Sequence, residues 1–234
     1  ILNTMKKNIC VIPARGGSKR IPKKNIKEFY GKPLIAWSIE CAISSKLFDD
    51  VYVSTDNHEI AEVAKSYGAT IPFMRPKQLS HDMVLDIEVR NHFIDWLKKS
   101  EIKTDYLCYL YATAPFITIE TLEGCYNKLK QSDADSILTV TSFPYPILRA
   151  LKINKDKTLS FNWPEHQNSM SQDLPEYFHD VGQCYFFNLN REIKEGYGKR
   201  VGYELPRYLC QDIDTIEDFK MAEKLFALLK KDLK

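Results

Sequence analysis

The stretch "PARGGSKRIPKKN", residues 13–25, combines two glycines, a serine and five basic side chains directly after an apolar run. Adjacent glycines allow backbone N–H groups to turn toward an anion, and Lys and Arg side chains neutralise phosphate oxygens. The stretch has neither the G-x-x-x-x-G-K-[ST] spacing of a P-loop nor the G-x-G-x-x-G spacing of a dinucleotide turn. It predicts a phosphate-binding loop of another type, with a solvated basic turn as the alternative.

The positive charge is concentrated in this loop. Residues 14–32 hold seven Lys or Arg and one acid, Glu28, whereas the whole chain of 234 residues has a formal net charge of +2. Cations packed this closely repel one another unless an anion binds among them. Nucleic-acid-binding proteins usually have a domain-wide basic stripe or a recognisable module, and the sequence has neither. A small phosphorylated ligand is therefore predicted, and no nucleic acid.

A pair of carboxylates follows near the end of the chain. In "DID" (212–214) Asp212 and Asp214 are two residues apart, which places them on one face of an extended segment. Mg²⁺ prefers one or two carboxylates together with phosphate oxygens. With the basic loop, the pair predicts a metal–triphosphate site, although Asp214 could instead only cap the final helix.

Other polar residues have two interpretations each. In "YFHDVGQCYFF" (177–187) the His179–Asp180 doublet either orients a hydroxyl nucleophile or caps a strand. Asp56 in "STD" is a candidate helix cap, and Arg75 is a turn residue or a base contact. The five histidines and six cysteines have no zinc-binding spacing. Cysteines without C-x-x-C pairs are typical of a reducing compartment, so a cytoplasmic location is expected.

The elements that position these residues alternate between strand and helix. Short, continuously apolar runs such as "NICVIPA" (8–14) are typical of strands buried on both faces of a parallel sheet. The pattern predicts an α/β fold with a doubly wound, mostly parallel sheet and ligands at the carboxyl ends of the strands. Strands are predicted at 8–14, 50–55, 69–76, 105–115, 134–143 and 181–189, and helices at 33–45, 57–67, 87–97, 118–129 and 214–229.

One segment departs from this alternation. Residues 144–180 contain four prolines and short alternating stretches, which predicts a small β-rich insertion acting as a lid or dimerisation subdomain within a single domain, 5–234. Residues 1–4, ahead of Met5, are expected to precede the fold. No apolar stretch approaches the roughly 20 residues that span a membrane, so no membrane association is predicted.

Several of these stretches, in order, resemble the acylneuraminate cytidylyltransferase (CMP-sialic acid synthetase) family. They are "IPARGGSKRIPKKNI", "GKPLIAWSI", "VSTD", "AEVAKSYGA", "RPKQLS" and "DIDTIEDF", and the resemblance extends over about residues 9–229. It implies a fold of the nucleotide-diphospho-sugar transferase type, CTP as co-substrate, Mg²⁺, and a homodimer built partly by the insertion.

The acceptor side resembles one subgroup of this family. Enzymes acting on N-acetylneuraminic acid carry Q-P-T-S-P-[LF]-R where this chain has "YATAPFI", so Tyr111 and Ile117 replace a polar and a basic sugar contact. "YATAPF", "YPILRALKI" and "SQDLPEYFHDVGQ" resemble the enzymes that activate pseudaminic acid for surface-glycan or flagellin glycosylation. Met170 stands where that subgroup usually has an arginine. Legionaminic and N-acetylneuraminic acid are the alternative substrates.

The resemblance implies a role for each matching residue. Nucleotide binding is expected from Arg15, Gly16, Gly17, Ser18, Lys19, Lys24, Asn25 and Arg75; acceptor binding from Tyr111, Thr113, Gln172, Asp173, His179, Asp180 and Gln183; and metal binding from Asp212 and Asp214. Catalysis is expected from Arg15, Lys19, Lys24, Asp212, His179 and Asp180.

The expected reaction is attack of the anomeric hydroxyl of a sugar acid on the α-phosphorus of CTP, with release of pyrophosphate. His179 with Asp180 is the candidate for positioning or deprotonating that hydroxyl. Two other classes remain. One is a metal-dependent glycosyltransferase, whose D-x-D motif normally lies in mid-domain rather than before the last helix, and the other is a catalytically silent nucleotide-binding module.

Overall fold

The computed structural model describes residues 7–191 and 198–232, so residues 1–4 and Met5 lie outside the described residues. A six-stranded sheet has the order β10-β6-β9-β5-β1-β4, and two small two-stranded sheets pair β2 with β3 and β7 with β8. The strands are β1 Asn8–Pro13, β2 Glu28–Phe29, β3 Lys32–Pro33, β4 Asp50–Ser54, β5 Tyr106–Leu110, β6 Ser136–Ser142, β7 Leu151–Ile153, β8 Leu159–Phe161, β9 Phe178–Asn188 and β10 Arg200–Glu204. The helices are α1 Leu34–Ser44, α2 His58–Ser66, α3 Asp86–Lys99, α4 Ile119–Gln131 and α5 Ile216–Asp232.

The predicted α/β class with a mostly parallel sheet is confirmed. Strand β1 pairs in parallel with both β4 and β5, and β6 pairs in parallel with β10. Strand β9 is antiparallel to its neighbours β5 and β6. The loops that follow β1, β4 and β5 therefore emerge at the same edge of the sheet, where the site residues were expected.

Helices cover both faces of the sheet. Alternate residues of β1 point to opposite sides, so Cys10 and Ile12 pack in a cluster with residues of α1, α2 and α4, whereas Ile9 and Val11 pack with Phe93 of α3. All four β1 residues are at most 1% exposed. Burial on both faces explains why the strand is apolar throughout rather than alternating.

The helix caps observed in the structure are formed by side chains other than the candidate carboxylates. The Asn57 side chain accepts from Ile60 N at 3.0 Å and caps α2, and Thr118 accepts from Thr121 N at 3.1 Å and caps α4. Thr215 accepts from the Asp218 backbone N–H at 3.1 Å ahead of α5. Asp56 and Asp214, the alternative caps, are therefore not needed for this purpose.

The strand predicted at 69–76 is wrong. Only two isolated bridges form there, Tyr52 with Thr70 and Thr55 with Met74. Pro72 and Pro76 lack the N–H that a strand ladder requires, which prevents regular pairing.

Phe178–Asp180, the last residues of the predicted insertion, belong to β9 and pair with β6. Before them lie the β7–β8 hairpin and several short 3₁₀ turns. A lid or dimerisation role for this segment stays a prediction. None of the helices in the described part of the chain has the length and apolar composition that a membrane span requires.

Candidate active site

A cavity of about 270 Å³ opens at the carboxyl edge of the sheet. Its walls come from the basic loop after β1, the segment between β4 and α3, the loop after β5, and the residues before α5. The structure thus brings together most of the predicted nucleotide-side residues. Those lining the cavity are Arg15, Ser18, Lys19, Lys24, Asn25 and Arg75. The predicted metal ligand Asp214 and the predicted acceptor contacts Tyr111 and Thr113 line the same cavity.

Two basic side chains of the loop converge on Asp82. Arg15 NH1 donates to Asp82 Oδ1 at 2.7 Å, and Lys19 Nζ donates to Oδ2 at 2.6 Å. The hydrogen bond from Lys19, followed by that from Arg15, lowers the pKa of Asp82 below its usual value. All three groups line the cavity, so Arg15 and Lys19 are directed to one point within it. Asp82 belongs to no recognisable motif, so its type and position in the sequence do not mark it as a site residue.

Lys24 joins the loop to the acidic pair. Its Nζ donates to the Ile213 carbonyl at 2.7 Å and lies 3.4 Å from Asp214 Oδ1. Arg20 NH2 lies 2.9 Å from the same Asp214 oxygen. The basic loop and the acidic segment therefore form one charged surface.

Lys23 is directed elsewhere. Its Nζ pairs with Glu59 of α2 at 2.7 Å, and its backbone is left-handed, with a φ of 53°. Both side chains of this pair are more than half exposed. Neighbouring lysines of the loop consequently differ in their surroundings: Lys24 lines the cavity, whereas Lys23 forms a surface ion pair.

The glycines shape the loop without lining the cavity. Gly16 N donates to Asp56 Oδ1 at 2.9 Å, so the expectation that this N–H turns toward a bound anion is wrong. A Cβ at Gly16 would lie 2.8 Å from Asn57 Nδ2, whereas one at Gly17 would meet nothing within 4 Å. Only Gly16 is required by packing. Asn25, which is buried in the cavity wall, donates to the Arg15 carbonyl at 3.0 Å and so fixes the loop.

Arg75 forms a buried part of the cavity wall. The residue is 5% exposed, and its Nε donates to Ser80 Oγ at 3.2 Å. Burial lowers its pKa, an effect that Tyr109 and Asp56 oppose. A buried guanidinium in a ligand cavity supplies fixed donors, as expected of the predicted cytosine-side contact.

A second cavity, of about 370 Å³, adjoins the first at Tyr111, which lines both. Asp180 lies in its wall, and its carboxylate accepts from Gly182 N and from Tyr185 Oη, both at 2.8 Å. His179 also lines it, with Nδ1 3.0 Å from the Asp180 carbonyl oxygen. The His179–Asp180 doublet therefore faces a cavity beside the predicted nucleotide site.

Three predicted acceptor contacts lie away from both cavities. Gln183 is 2% exposed and donates through Nε2 to the Leu209 carbonyl at 2.6 Å. Gln172 and Asp173 are exposed in the segment before β9. Among the residues of one chain, the structure thus brings Tyr111, His179 and Asp180 together but not these three.

The acidic pair straddles the boundary between the cavities. Asp214 lines the first and Asp212 the second, with the fully buried Ile213 between them. Partial burial, followed by the charge of Asp214, raises the pKa of Asp212. Within the described ranges no cluster of three or more His, Cys, Asp or Glu side chains has metal-binding geometry. Two carboxylates beside a phosphate-type loop nevertheless fit Mg²⁺, which completes its coordination with phosphate and water oxygens.

A mostly parallel α/β sheet, a basic loop after β1 and an acidic pair before the last helix together define a nucleotide-binding transferase. The chain belongs to the cytidylyltransferase family, whose model matches residues 9–231. It is 43% identical over 223 residues to a pseudaminic acid cytidylyltransferase of Campylobacter jejuni, covering 94% of this chain and 96% of that protein. It is 30% identical over 230 residues to a CMP-N,N'-diacetyllegionaminic acid synthase of Legionella pneumophila, covering 94% and 96% of the two chains.

Solved structures agree on the fold. A CMP:2-keto-3-deoxy-manno-octonic acid synthetase complexed with CTP matches with a TM-score of 0.66 and 17% identity, over 95% of this chain and 99% of that one. The family expected from the sequence is therefore confirmed, and the protein is a nucleotidyltransferase.

Proposed function

We propose that the protein transfers CMP from CTP to a nonulosonic acid, with pseudaminic acid as the preferred acceptor and CMP-pseudaminic acid and pyrophosphate as products. The observation that carries this proposal is the pair of adjoining cavities on either side of Tyr111, one basic and one containing Asp180. The 43% identity to a pseudaminic acid cytidylyltransferase supports the choice of acceptor.

The basic cavity suits a nucleoside triphosphate. Arg15, Lys19 and Lys24 line it and would neutralise the triphosphate and the departing pyrophosphate, whose charge grows as the bond to the α-phosphorus breaks. Asp82 already directs Arg15 and Lys19 toward one point. The buried Arg75 would contact the base, while the hydrogen bonds of Gly16 to Asp56 and of Asn25 to the Arg15 carbonyl would maintain the shape of the loop.

Asp212 and Asp214 would hold Mg²⁺. Bound there, the ion would polarise the α-phosphoryl group and offset its negative charge. Lys24 and Arg20 contact Asp214 directly, which would hold that carboxylate in place beside the triphosphate. The fit depends on oxygen donors alone, in keeping with a hard divalent cation.

The second cavity would hold the sugar acid. Its anomeric oxygen attacks the α-phosphorus, the bond between that phosphorus and pyrophosphate breaks, and the hydroxyl proton passes to a base. Asp180 is the group best held for this role, because Gly182 N and Tyr185 Oη fix its carboxylate in the cavity wall. His179, in the wall of the same cavity, would help to position that hydroxyl.

A homodimer is proposed from the surface of the segment before β9. Its side chains include several large apolar ones that face solvent in the single chain, and a second copy would cover them. The exposed apolar side chains in and around the β7–β8 hairpin are Tyr145, Leu151, Ile153, Leu159 and Met170. The use of CTP and six unpaired cysteines support a cytoplasmic location.

The direct test is CTP-dependent pyrophosphate release with Mg²⁺ and, in parallel, pseudaminic, legionaminic and N-acetylneuraminic acid, with each product identified by mass. We expect CMP-pseudaminic acid to form with the highest kcat/KM. Preference for another acid would overturn the choice of acceptor but keep the cytidylyltransferase activity. No pyrophosphate with any of the three would overturn the proposed reaction.

A further inference from the structure

Tyr111 is the partition between the two cavities. It lines both, and its backbone is fixed on either side, since its N–H donates to the Gln183 carbonyl at 2.9 Å and its carbonyl accepts from Ser38 Oγ at 2.8 Å. Its ring centroid lies 5.5 Å from that of Tyr185 and 6.0 Å from that of Tyr109. With the backbone held, the direction of the ring depends on what anchors its hydroxyl.

That anchor is Asp86, the first residue of α3. Tyr111 Oη donates to Asp86 Oδ2, and Tyr109 Oη lies 3.4 Å from Asp86 Oδ1. Asp86 lines the nucleotide cavity and is not among the residues lining the acceptor cavity. The Tyr111 hydroxyl is therefore drawn toward α3, so the acceptor cavity meets the ring of Tyr111.

A second carboxylate holds the neighbouring tyrosine. Tyr185 Oη donates to Asp180 Oδ2 at 2.8 Å, and the Tyr185 and Tyr111 side chains interact with each other. Burial, followed by the charge of Asp86, raises the pKa of Tyr109 well above its usual value, and burial raises that of Tyr185. Tyr109 and Tyr185 thus remain protonated donors at neutral pH.

We propose that Asp86 is a positioning residue, which holds Tyr111 against Tyr185 so that the wall between the cavities presents the sugar acid to the α-phosphorus at a fixed distance. This inference rests on the proposed function. It assigns no chemical step to Asp86, whose effect passes through Tyr111. Loss of the anchor at α3 would let the ring turn toward the acceptor cavity, which would impair acceptor binding and alignment more than nucleotide binding.

The test compares Asp86→Ala, Asp86→Asn, Tyr111→Phe and the double variant Asp86→Ala/Tyr111→Phe, varying CTP and pseudaminic acid separately. Loss of a hydrogen bond to a charged group is expected to raise the KM for the sugar acid about tenfold in Asp86→Ala and Tyr111→Phe. The KM for CTP should change by no more than about twofold. The double variant should be no worse than either single variant, because both remove the same interaction.

Asp86→Asn should lie between Asp86→Ala and the wild type, because its amide oxygen can still accept from Tyr111. Asp95→Ala, on an exposed position of the same helix, and Tyr126→Phe, outside both cavities, are the matched controls and should behave as wild type. Thermal unfolding verifies the fold, and if Asp86→Ala does not fold, Tyr111→Phe and Asp86→Asn decide the test.

Additive losses in the double variant, or a change in the KM for CTP alone, would overturn the proposal. The proposal would also be overturned if the wild type is active and the Asp86 and Tyr111 variants have an unchanged KM for the sugar acid. A wild type that forms no CMP-sugar would instead contradict the proposed function, so the two failures are distinguishable.

Discussion

Lys24 and Asp214, 190 residues apart in the chain, meet at the carboxyl edge of the sheet, with Nζ 3.4 Å from Oδ1. The lysine also donates to the Ile213 carbonyl at 2.7 Å, and its side chain is only 19% exposed. The nearby Lys23, by contrast, pairs with Glu59 at the surface. The position of each lysine therefore separates a site contact from a surface contact within one loop.

Replacing these two lysines should have very different effects. Lys24→Ala removes a preorganised cation beside the triphosphate, and kcat/KM for CTP should fall about 100-fold or more. Lys23→Ala breaks an exposed ion pair, and activity should change less than about threefold. Steady-state pyrophosphate release measures both. Equal losses in the two variants would contradict the division of roles.

The two glycines of the loop offer a second matched pair. Alanine at Gly16 would press on Asn57, the α2 cap, and disturb the Asp56 carboxylate that holds the loop. Overpacking of this kind costs about 1–3 kcal/mol, so Gly16→Ala should lower Tm by several degrees and raise the KM for CTP. Gly17→Ala should be within about 0.5 kcal/mol of wild type by calorimetry. The reverse ranking would show that the loop is packed differently.

The sequence predicts the sheet well because a strand buried on both faces has a recognisable apolar composition in the local sequence. The continuous apolar run of β1 is an example. The false strand at 69–76 had the apolar composition of a strand, but Pro72 and Pro76 remove the ladder donors.

The site was predictable where a motif carries it and not where it depends on tertiary contacts. Lys24 and Asp214 belong to recognisable stretches. Asp82 belongs to no recognisable motif and Asp86 lies one residue before the predicted start of α3, and their partners Arg15 and Tyr111 are 67 and 25 residues away. Such pairs form only when separate loops meet at the same sheet edge. Gly16 was assigned to the ligand because glycine-rich loops bind anions, whereas its N–H binds Asp56.

The dimer proposal is testable on its exposed apolar surface. Ile153 in β7 is 76% exposed, and a charge there would oppose its burial by a second copy. Ile153→Glu should convert a dimer to a monomer in size-exclusion chromatography with light scattering. Met221→Glu, at a 54% exposed position of α5, is the control and should leave the oligomeric state unchanged. A dimer that persists in Ile153→Glu would place the interface elsewhere.

The ionised Asp212 carboxylate should lower the free energy of unfolding, and it should be necessary for activity. Its pKa is raised, so between the ordinary pKa of 3.8 and the higher value in the fold the native state binds more protons than the unfolded state. Stability from this group is therefore lost as pH rises through that window. Asp212→Asn should raise Tm by roughly 1–3 °C at pH 7, and the gain should vanish at acidic pH. The effect is small because the residue is buried only in part, and solvent at its exposed side screens its charge.

The same variant should lose most of its pyrophosphate release, because Mg²⁺ binding needs the ionised carboxylate. Mg²⁺ with CTP should raise the Tm of the wild type more than that of Asp212→Asn, since only the wild type offers both carboxylates. Asp218→Asn is the control. The Asp218 carboxylate accepts from Thr215 N at 2.8 Å, so the substitution weakens the start of α5 and should lower Tm at neutral pH. Its gain in Tm on adding Mg²⁺ with CTP should match that of the wild type. An Asp212→Asn protein less stable than wild type at pH 7 would mean that Asp212 is a structural residue, with interactions that outweigh its burial beside Asp214.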